Sequence, residues 1–119
     1  MNRSDFSSYL DGWATFYLVD DDISSINFNS KRNVTSIDEM KKLVILAYDE
    51  MSKRQEDILF AEGKQHSLSL KIKTMIYKSV NEMCKVVINN TLYDIFAIDT
   101  DKDKNCMYIY LEEVREIVK

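Results

Sequence analysis

The sequence predicts a mainly β, antiparallel domain with one short α-helix and long loops. Between Lys85 and Leu111, three apolar runs rich in β-branched and aromatic residues alternate with short polar segments, which indicates a β-meander. The segment Ser67 to Lys73 alternates polar and apolar residues, the pattern of a strand with one buried face. Closing such strands into a barrel or sandwich would leave no sheet edge exposed to other chains.

The N-terminal third contains one strand and a long polar loop. Trp13 to Val19 is rich in aromatic and β-branched residues, so we predict the first strand there. Three consecutive aspartates, from Asp20 to Asp22, end it. Ile23 to Thr35 is mostly Ser, Asn and charged residues, which predicts a long loop.

The stretch from Ser36 to Ala61 begins with conflicting signals. Ser36 and a glutamate three residues later form a capping box, and the apolar spacing that follows favours a helix over residues 37–50. However, Leu43 to Tyr48 is a continuous apolar run that a buried strand would explain equally well. Local pattern alone leaves both alternatives open.

A second helical segment is better defined. We predict a helix over about Arg54 to Glu62, with Ser52 available to cap its N-terminus and Gly63 as the left-handed residue that ends it. In the strand that follows, Leu68, Leu70 and Ile72 should face the core while Lys71 and Lys73 face water. Residues 74–83 are predicted to be a connecting loop.

The meander supplies the last three strands. The strand from Lys85 to Ile88 leads into Asn89-Asn90, which tolerate positive φ and suit a two-residue hairpin turn. The next strand covers Thr91 to Ile98, and residues 99–105 form a polar tip. The final strand begins at Cys106 and runs to about residue 114.

Composition limits the functional classes. With 119 residues, 45% hydrophobic and 30% charged, the chain is one domain with one modest core. No apolar run is long enough to span a bilayer, and the N-terminus lacks the apolar core of a secretory signal, so we expect synthesis in the cytoplasm.

The net charge of −4 argues against a dedicated nucleic-acid binder, although not against a protein that merely surrounds DNA. Cys84 and Cys106 are expected to be reduced core residues.

No pattern in the sequence predicts a catalytic, metal or cofactor site. Asp99, Asp101, Asp103 and Asn105 alternate as in a calcium loop, but Lys and Tyr occupy the positions that require Gly and Glu. The single histidine, His66, lacks the partners of a zinc site or a catalytic triad. A mildly basic zone is better explained as a solvated strand face than as a nucleic-acid surface; it comprises Lys71, Lys73, Lys78 and Lys85 with Tyr77.

Several segments follow one another in an order that carries a family resemblance. They are a short helix of the type S-x-x-(Q/E)-E-x-x-x-x-A at Ser52 to Ala61, the alternating strand at Ser67 to Thr74, the lysine-led strand after Val80, the pattern Tyr-x-Ile-x-x-Ile-Asp from Tyr93 to Asp99, and a final strand ending in acids at Tyr108 to Glu113. In this order they resemble the head–tail joining proteins of long-tailed bacteriophages, the head-closure or stopper components of the connector. The resemblance covers about Leu43 to Val114, whereas residues 1–35 match the family poorly.

The resemblance implies a small antiparallel β-barrel or closed sandwich with one short helix, and it implies that about Leu43 to Glu50 is a strand. We adopt that assignment over the local helix signal because tertiary context often outweighs propensity. The implied role is structural: a twelvefold ring below the portal and adaptor closes the DNA channel after packaging and offers the tail a docking surface. The isolated chain should then be a monomer or weak oligomer that assembles on its partner.

The implied partners are other copies of the chain, portal and adaptor proteins, and tail-completion or tail-tube proteins. Packaged DNA would be contacted non-specifically at most, no membrane is involved, and the protein would reside in the virion after synthesis in the bacterial host. The alternatives are a neighbouring adaptor or tail-completion protein of the same connector, a small nucleic-acid-binding β-barrel and, third, a small enzyme.

Two sets of residues are candidates for this role. Ile58, Leu59 and Phe60 form an apolar triplet wider than one small domain's helix needs, so we predict that they contact a neighbouring subunit. Ile76, Tyr77 and Lys78, in the 74–83 loop, are predicted to face the DNA channel, with the 23–35 loop as the second choice.

Overall fold

The structure, a computed structural model, describes residues 9–19 and 40–116. In this part of the chain it has six strands and one helix. They are β1 (Gly12–Val19), β2 (Met40–Met51), α1 (Gln55–Gly63), β3 (Leu70–Met75), β4 (Lys85–Ile88), β5 (Thr91–Asp101) and β6 (Cys106–Glu116).

The six strands form a closed antiparallel barrel in the order β1-β2-β3-β6-β5-β4, with β4 pairing back onto β1. The meander β4-β5-β6 is one half of this barrel. For the part of the chain that the structure describes, the predicted mainly β, antiparallel fold with one short helix is confirmed, and the strands are closed into a barrel. Two of the seams that close the barrel are short, since β2 pairs with β3 only at residues 49–51 and β1 with β4 only at residues 15–17.

The barrel interior is the main core. Inward-facing apolar side chains from all six strands meet there, together with two residues of the β3–β4 connection; the fully or nearly fully buried members are Ala14, Phe16, Leu46, Tyr48, Ile72, Val80, Cys84, Val86, Ile88, Ile95, Met107, Ile109 and Leu111. Both cysteines are buried and free, as predicted.

Strand β2 corrects the local prediction of a helix over residues 37–50. Residues 40–51 are one strand that pairs with β1 along most of its length and with β3 at its end. Leu46 and Tyr48 point into the core, while Ile45 before them is exposed and Ala47 between them is only half-buried, which is the two-residue period of a strand. Burial on one face and pairing on both sides outweigh the helical spacing. The predicted capping box at Ser36 lies outside the described residues.

The ends of α1 differ from the prediction by a few residues. Arg54, not Ser52, is the N-cap, and its backbone N–H donates to the Asp57 carboxylate at 3.0 Å. Gly63 is the last helical residue, and Gln65 takes the positive φ of 64° that the prediction assigned to Gly63. Strand β3 starts at Leu70 and includes residues 74 and 75, so the connection that follows begins at Ile76.

The predicted hairpin turn at Asn89-Asn90 is confirmed, because both residues have positive φ, 50° and 67°. Strand β5 is three residues longer than predicted and includes Asp99 and Asp101. The tip between β5 and β6 closes with Asn105 at a φ of 57°, and the Asp101 side chain accepts a hydrogen bond from the Lys104 N–H at 3.2 Å.

The antiparallel pairing places three connections at the same end of the barrel. The β3–β4 loop and the β5–β6 tip lie there, and the chain also leaves β1 and enters β2 at this end. The predicted long loop at residues 23–35 lies outside the described residues. Within residues 9–19 and 40–116, no helix has both the length and the apolar character required to cross a membrane.

Candidate functional site

Helix α1 lies against the outer wall of the barrel over β5 and β6 and presents the predicted interface residues. Its Ala61 is buried against Phe96 and Ala97 of β5 and Tyr110 of β6, which form a second cluster outside the barrel. The pairing of β5 with β6 is irregular between Ile95 and Ala97. This β-bulge turns two successive β5 side chains toward the helix, which a regular strand cannot do.

A buried ion pair fixes the first turn of α1 to the barrel. The ammonium group of Lys71 on β3 donates to the Asp57 carboxylate at 3.2 Å, and both side chains are more than nine-tenths buried. The same carboxylate accepts hydrogen bonds from Arg54. Burial alone would raise the pKa of Asp57, but the Arg54 and Lys71 hydrogen bonds outweigh it and hold the pKa of Asp57 below its ordinary value.

Lys71 contradicts the prediction of a solvated strand face. Its ammonium group lies between the aromatic rings of Tyr108 and Tyr110, 5.6 and 5.2 Å from their centroids. Lys85 on β4 is likewise buried and paired with Asp94. These two lysines therefore belong to neither a solvated face nor a basic surface that could bind phosphate. The alternation of polar and apolar residues along β3 predicted an exposed Lys71, because the sequence does not show that α1 covers this outer face.

The connection after α1 carries a second attachment. The His66 ring stacks on Phe96 with centroids 4.8 Å apart, and its Nδ1 lies 2.7 Å from the Glu112 carboxylate on β6. The second Glu112 oxygen accepts the Ser67 N–H at 3.0 Å. The single histidine thus tethers the segment leaving α1 to the barrel. Sequence analysis missed its partner because Glu112 is 46 residues away.

The three predicted interface residues occupy different environments. Leu59 is 56% exposed, Phe60 is 43% exposed, and Ile58 is half-buried. The Phe60 ring packs in tilted geometry near Tyr110 and Phe96, at centroid distances of 5.6 and 6.5 Å. Leu59 and Phe60 therefore present an apolar surface, which we call the helix surface, and the aromatic cluster beneath holds it in place.

Phe60→Ala is expected to lower the free energy of unfolding of the isolated chain by only about 1–2 kcal/mol, less than the 3–5 kcal/mol of a fully buried Phe. The reason is that almost half of the side chain is in water. Urea denaturation measures this, with Leu59→Ser as a control expected to stay within about 0.5 kcal/mol of the wild type. A loss of 3–5 kcal/mol would make Phe60 a core residue and contradict its assignment to an interface.

The predicted channel-facing residues begin the β3–β4 loop. Tyr77 and Lys78 are exposed, whereas Ile76 is half-buried and packs against the core. The loop is well anchored, since Val80 and Cys84 are buried and backbone N–H groups of both close short turns, at 3.1 and 3.0 Å. Only Tyr77 and Lys78 of the three are thus free to contact another molecule.

The loop and the β5–β6 tip border an open cavity of about 500 Å³. Charges at this end are mixed: Lys78, Lys102 and Lys104 are exposed, and so are the acidic residues Glu82, Asp99 and Asp103. Within the part of the chain that the structure describes, no three His, Cys, Asp or Glu side chains come together in a way that could hold a metal ion. The side chains at this end of the barrel can obstruct another molecule sterically, but they do not concentrate charge of one sign.

A scan of the chain against protein-family models gives no match, and a search among curated proteins gives none either. The two candidate surfaces, on α1 and at the loop end of the barrel, are therefore interpreted from their geometry and from the sequence resemblance. Their exposed apolar and mixed-charge side chains are suited to protein contacts.

Proposed function

We propose that this chain is a structural protein of the bacteriophage head–tail connector. Copies of it form a ring below the portal and adaptor, close the DNA channel after packaging and provide the surface on which the tail docks. The observation that carries the proposal is the combination of a closed antiparallel barrel with a single helix between β2 and β3, since the resemblance implies a barrel of this kind. The proposed role involves no catalysis, metal or cofactor.

The anchored β3–β4 loop is the part of the chain proposed to obstruct the channel. A plug must resist the pressure of packaged DNA, and the buried Val80 and Cys84 give this loop two fixed points in the core. A plug must also avoid tight phosphate binding, because DNA has to pass when the phage infects. The mixed charges around Lys78 suit a steric obstacle that releases DNA readily.

The helix surface supplies the second requirement, a contact between protein subunits. Partly exposed aromatic and aliphatic side chains on a rigid element are typical anchors at the centre of interfaces. Leu59 and Phe60 are exposed by 56% and 43%, and the helix beneath them is fixed by the Asp57–Lys71 pair.

The proposal is tested with a phage in which the gene for this chain carries a nonsense mutation. Heads are expected to package DNA, lose it again and remain without tails, as electron microscopy and DNA quantification of purified particles would show. Heads that keep their DNA but lack tails would assign the chain to tail completion, and normal tailed particles would exclude a connector role.

Replacing Tyr77-Lys78 by Gly-Ser tests channel closure independently of tail docking. We expect particles that attach tails but leak DNA, because the obstacle is lost while the barrel and its anchors at Val80 and Cys84 remain. The matched control replaces Lys102 and Lys104 of the neighbouring tip by Ser. Equal DNA retention in wild type and the Tyr77-Lys78 variant would place channel closure elsewhere.

A further inference from the structure

The barrel consists of two parts that meet along two short seams. Strands β1 and β2 pair with each other over the whole of β1, and together they form a ribbon. The ribbon meets β4 only through residues 15–17 of β1, and it meets β3 only through residues 49–51 of β2. The other four strands form a continuous sheet, in which β3 pairs with β6 over residues 70–75 and β4 pairs with β5 over residues 85–88. We call the two short pairings the β1–β4 seam and the β2–β3 seam.

The polar side chains of the described residues form no hydrogen bond or ion pair across either seam. Within the ribbon, the Asp49 carboxylate accepts hydrogen bonds from the N–H groups of Tyr9 and Leu10, at 3.2 and 2.8 Å. The ion pairs of the described residues, including the buried Asp57–Lys71 pair, all lie on the side of the sheet and α1. Besides the two seams, the ribbon is therefore held by the apolar packing of its core side chains. These are Ala14, Phe16, Leu46 and Tyr48.

The two parts differ in how stable each is without the other. A two-stranded ribbon is at most marginally stable in water, whereas three or more strands packed against a helix can be stable independently. The sheet has four strands, and α1 packs on its outer wall through Phe96, Ala97 and Tyr110. Separating the ribbon at the two seams therefore breaks few backbone hydrogen bonds and leaves the sheet and α1 intact. Such partial opening requires less free energy than global unfolding.

We propose that the ribbon is a movable part of the barrel, which opens along the β1–β4 and β2–β3 seams while the sheet and α1 stay folded. Opening frees the backbone groups that pair across the seams. Because a free strand edge can pair with another chain, association by strand addition at the seams requires the open state. The ribbon is thus a conformational device that controls association. The inference concerns the isolated chain and goes beyond the proposed connector role.

The two native thiols test this opening in the unmodified full chain. Cys84 directly precedes the β4 residues of the β1–β4 seam, whereas Cys106 pairs with β3 and β5 inside the sheet. Both side chains are 0% exposed, so a thiol reagent reaches them only when the structure opens. We expect N-ethylmaleimide to modify Cys84 at least about tenfold faster than Cys106, and with a weaker dependence on urea than global unfolding has. Peptide mass spectrometry identifies the modified thiol at each time point.

A disulfide across the β1–β4 seam distinguishes ribbon opening from motion of the β3–β4 loop. Thr15 and Val87 are register partners in this seam, and both face outward because their chain neighbours lie in the core. In the oxidised Thr15→Cys/Val87→Cys variant, labelling of Cys84 should slow to the rate of Cys106. Reduction of the disulfide should restore the fast rate. Circular dichroism verifies that the variant is folded in both states.

A matched control and a second measurement complete the test. The control is the oxidised Asp99→Cys/Tyr108→Cys variant, whose disulfide joins register partners of β5 and β6 within the sheet and should leave Cys84 labelling fast. Hydrogen exchange reports on the β2–β3 seam. Amides of residues 49–51 and 71–73 that pair across it should exchange with the same urea dependence as Cys84 labelling, because one opening exposes both seams.

Four results would overturn the inference. Equal labelling of Cys84 and Cys106, with the urea dependence of global unfolding, would show that the barrel opens only as a whole. Fast labelling of Cys84 in the oxidised seam variant would assign its exposure to the β3–β4 loop. Slow labelling in the control variant would indicate general stabilisation by a disulfide. A different urea dependence at residues 49–51 would show that the seams do not open together.

Discussion

Replacing Asp57 by Ala is expected to lower the free energy of unfolding by about 3–5 kcal/mol, because it leaves the buried Lys71 ammonium without its counter-charge. The substitution also removes the acceptor of two hydrogen bonds from Arg54 at the start of α1. Lys71→Met should destabilise by less, since Arg54 still donates two hydrogen bonds to the Asp57 carboxylate. Urea or thermal denaturation of the isolated chain measures both.

The double variant Asp57→Ala/Lys71→Met completes the double-mutant cycle for this pair. Removing both charges leaves no unpaired buried ion. The double variant should therefore lose much less free energy of unfolding than the two single variants lose in sum. Losses that simply add would show that Asp57 and Lys71 are energetically independent, contrary to their 3.2 Å contact. Lys53→Met, at an exposed position nearby, should stay close to wild type.

The pair also predicts a dependence on pH. The pKa of Asp57 is depressed in the folded state, so its contribution is fully present above the ordinary carboxyl pKa of about 3.9. It is lost as the pH falls through the lower pKa of the folded state. The stability difference between wild type and Asp57→Asn should therefore be constant near neutral pH and shrink below about pH 4.

Phe96→Ala is expected to cost about 3–5 kcal/mol and to release α1 from the barrel. The Phe96 side chain is 4% exposed and lies at the centre of the outer cluster, where it contacts Phe60, His66 and Tyr110. Hydrogen exchange should show faster exchange of amides in residues 55–63 than in the barrel strands.

Two variants calibrate this result. Phe96→Leu keeps most of the apolar volume and should retain most of the stability. Tyr77→Ala removes an aromatic ring from an exposed loop position and should change stability by about 0.5 kcal/mol or less. If Phe96→Ala instead accelerates exchange equally in all strands, helix docking and barrel folding are one cooperative unit, and the helix surface has no separate stability.

The sequence by itself determined the elements whose signals are local. The strand β1 and the meander β4-β5-β6 follow from runs of β-branched and aromatic residues, the helix α1 from an apolar triplet and the residues that flank it, and the turn at Asn89-Asn90 from residues that accept positive φ. The exposed apolar residues of α1 were also predictable, because a triplet such as Ile58 to Phe60 exceeds what one helix face can bury. In each case the cause lies within a few neighbouring residues.

Only the tertiary structure decided which outer faces are covered. Residues 40–51 follow a helical spacing, yet pairing with β1 and β3 makes them a strand. Lys71 has the position of a solvated residue, yet it is buried because α1 packs over β3, β5 and β6 and supplies Asp57 as its partner. Trp13 on β1 and Ile45 on β2 stay exposed for the same reason, since α1 packs on the wall formed by β5 and β6 and not on theirs. Burial depends on elements distant in sequence, and alternation along one strand does not contain that information.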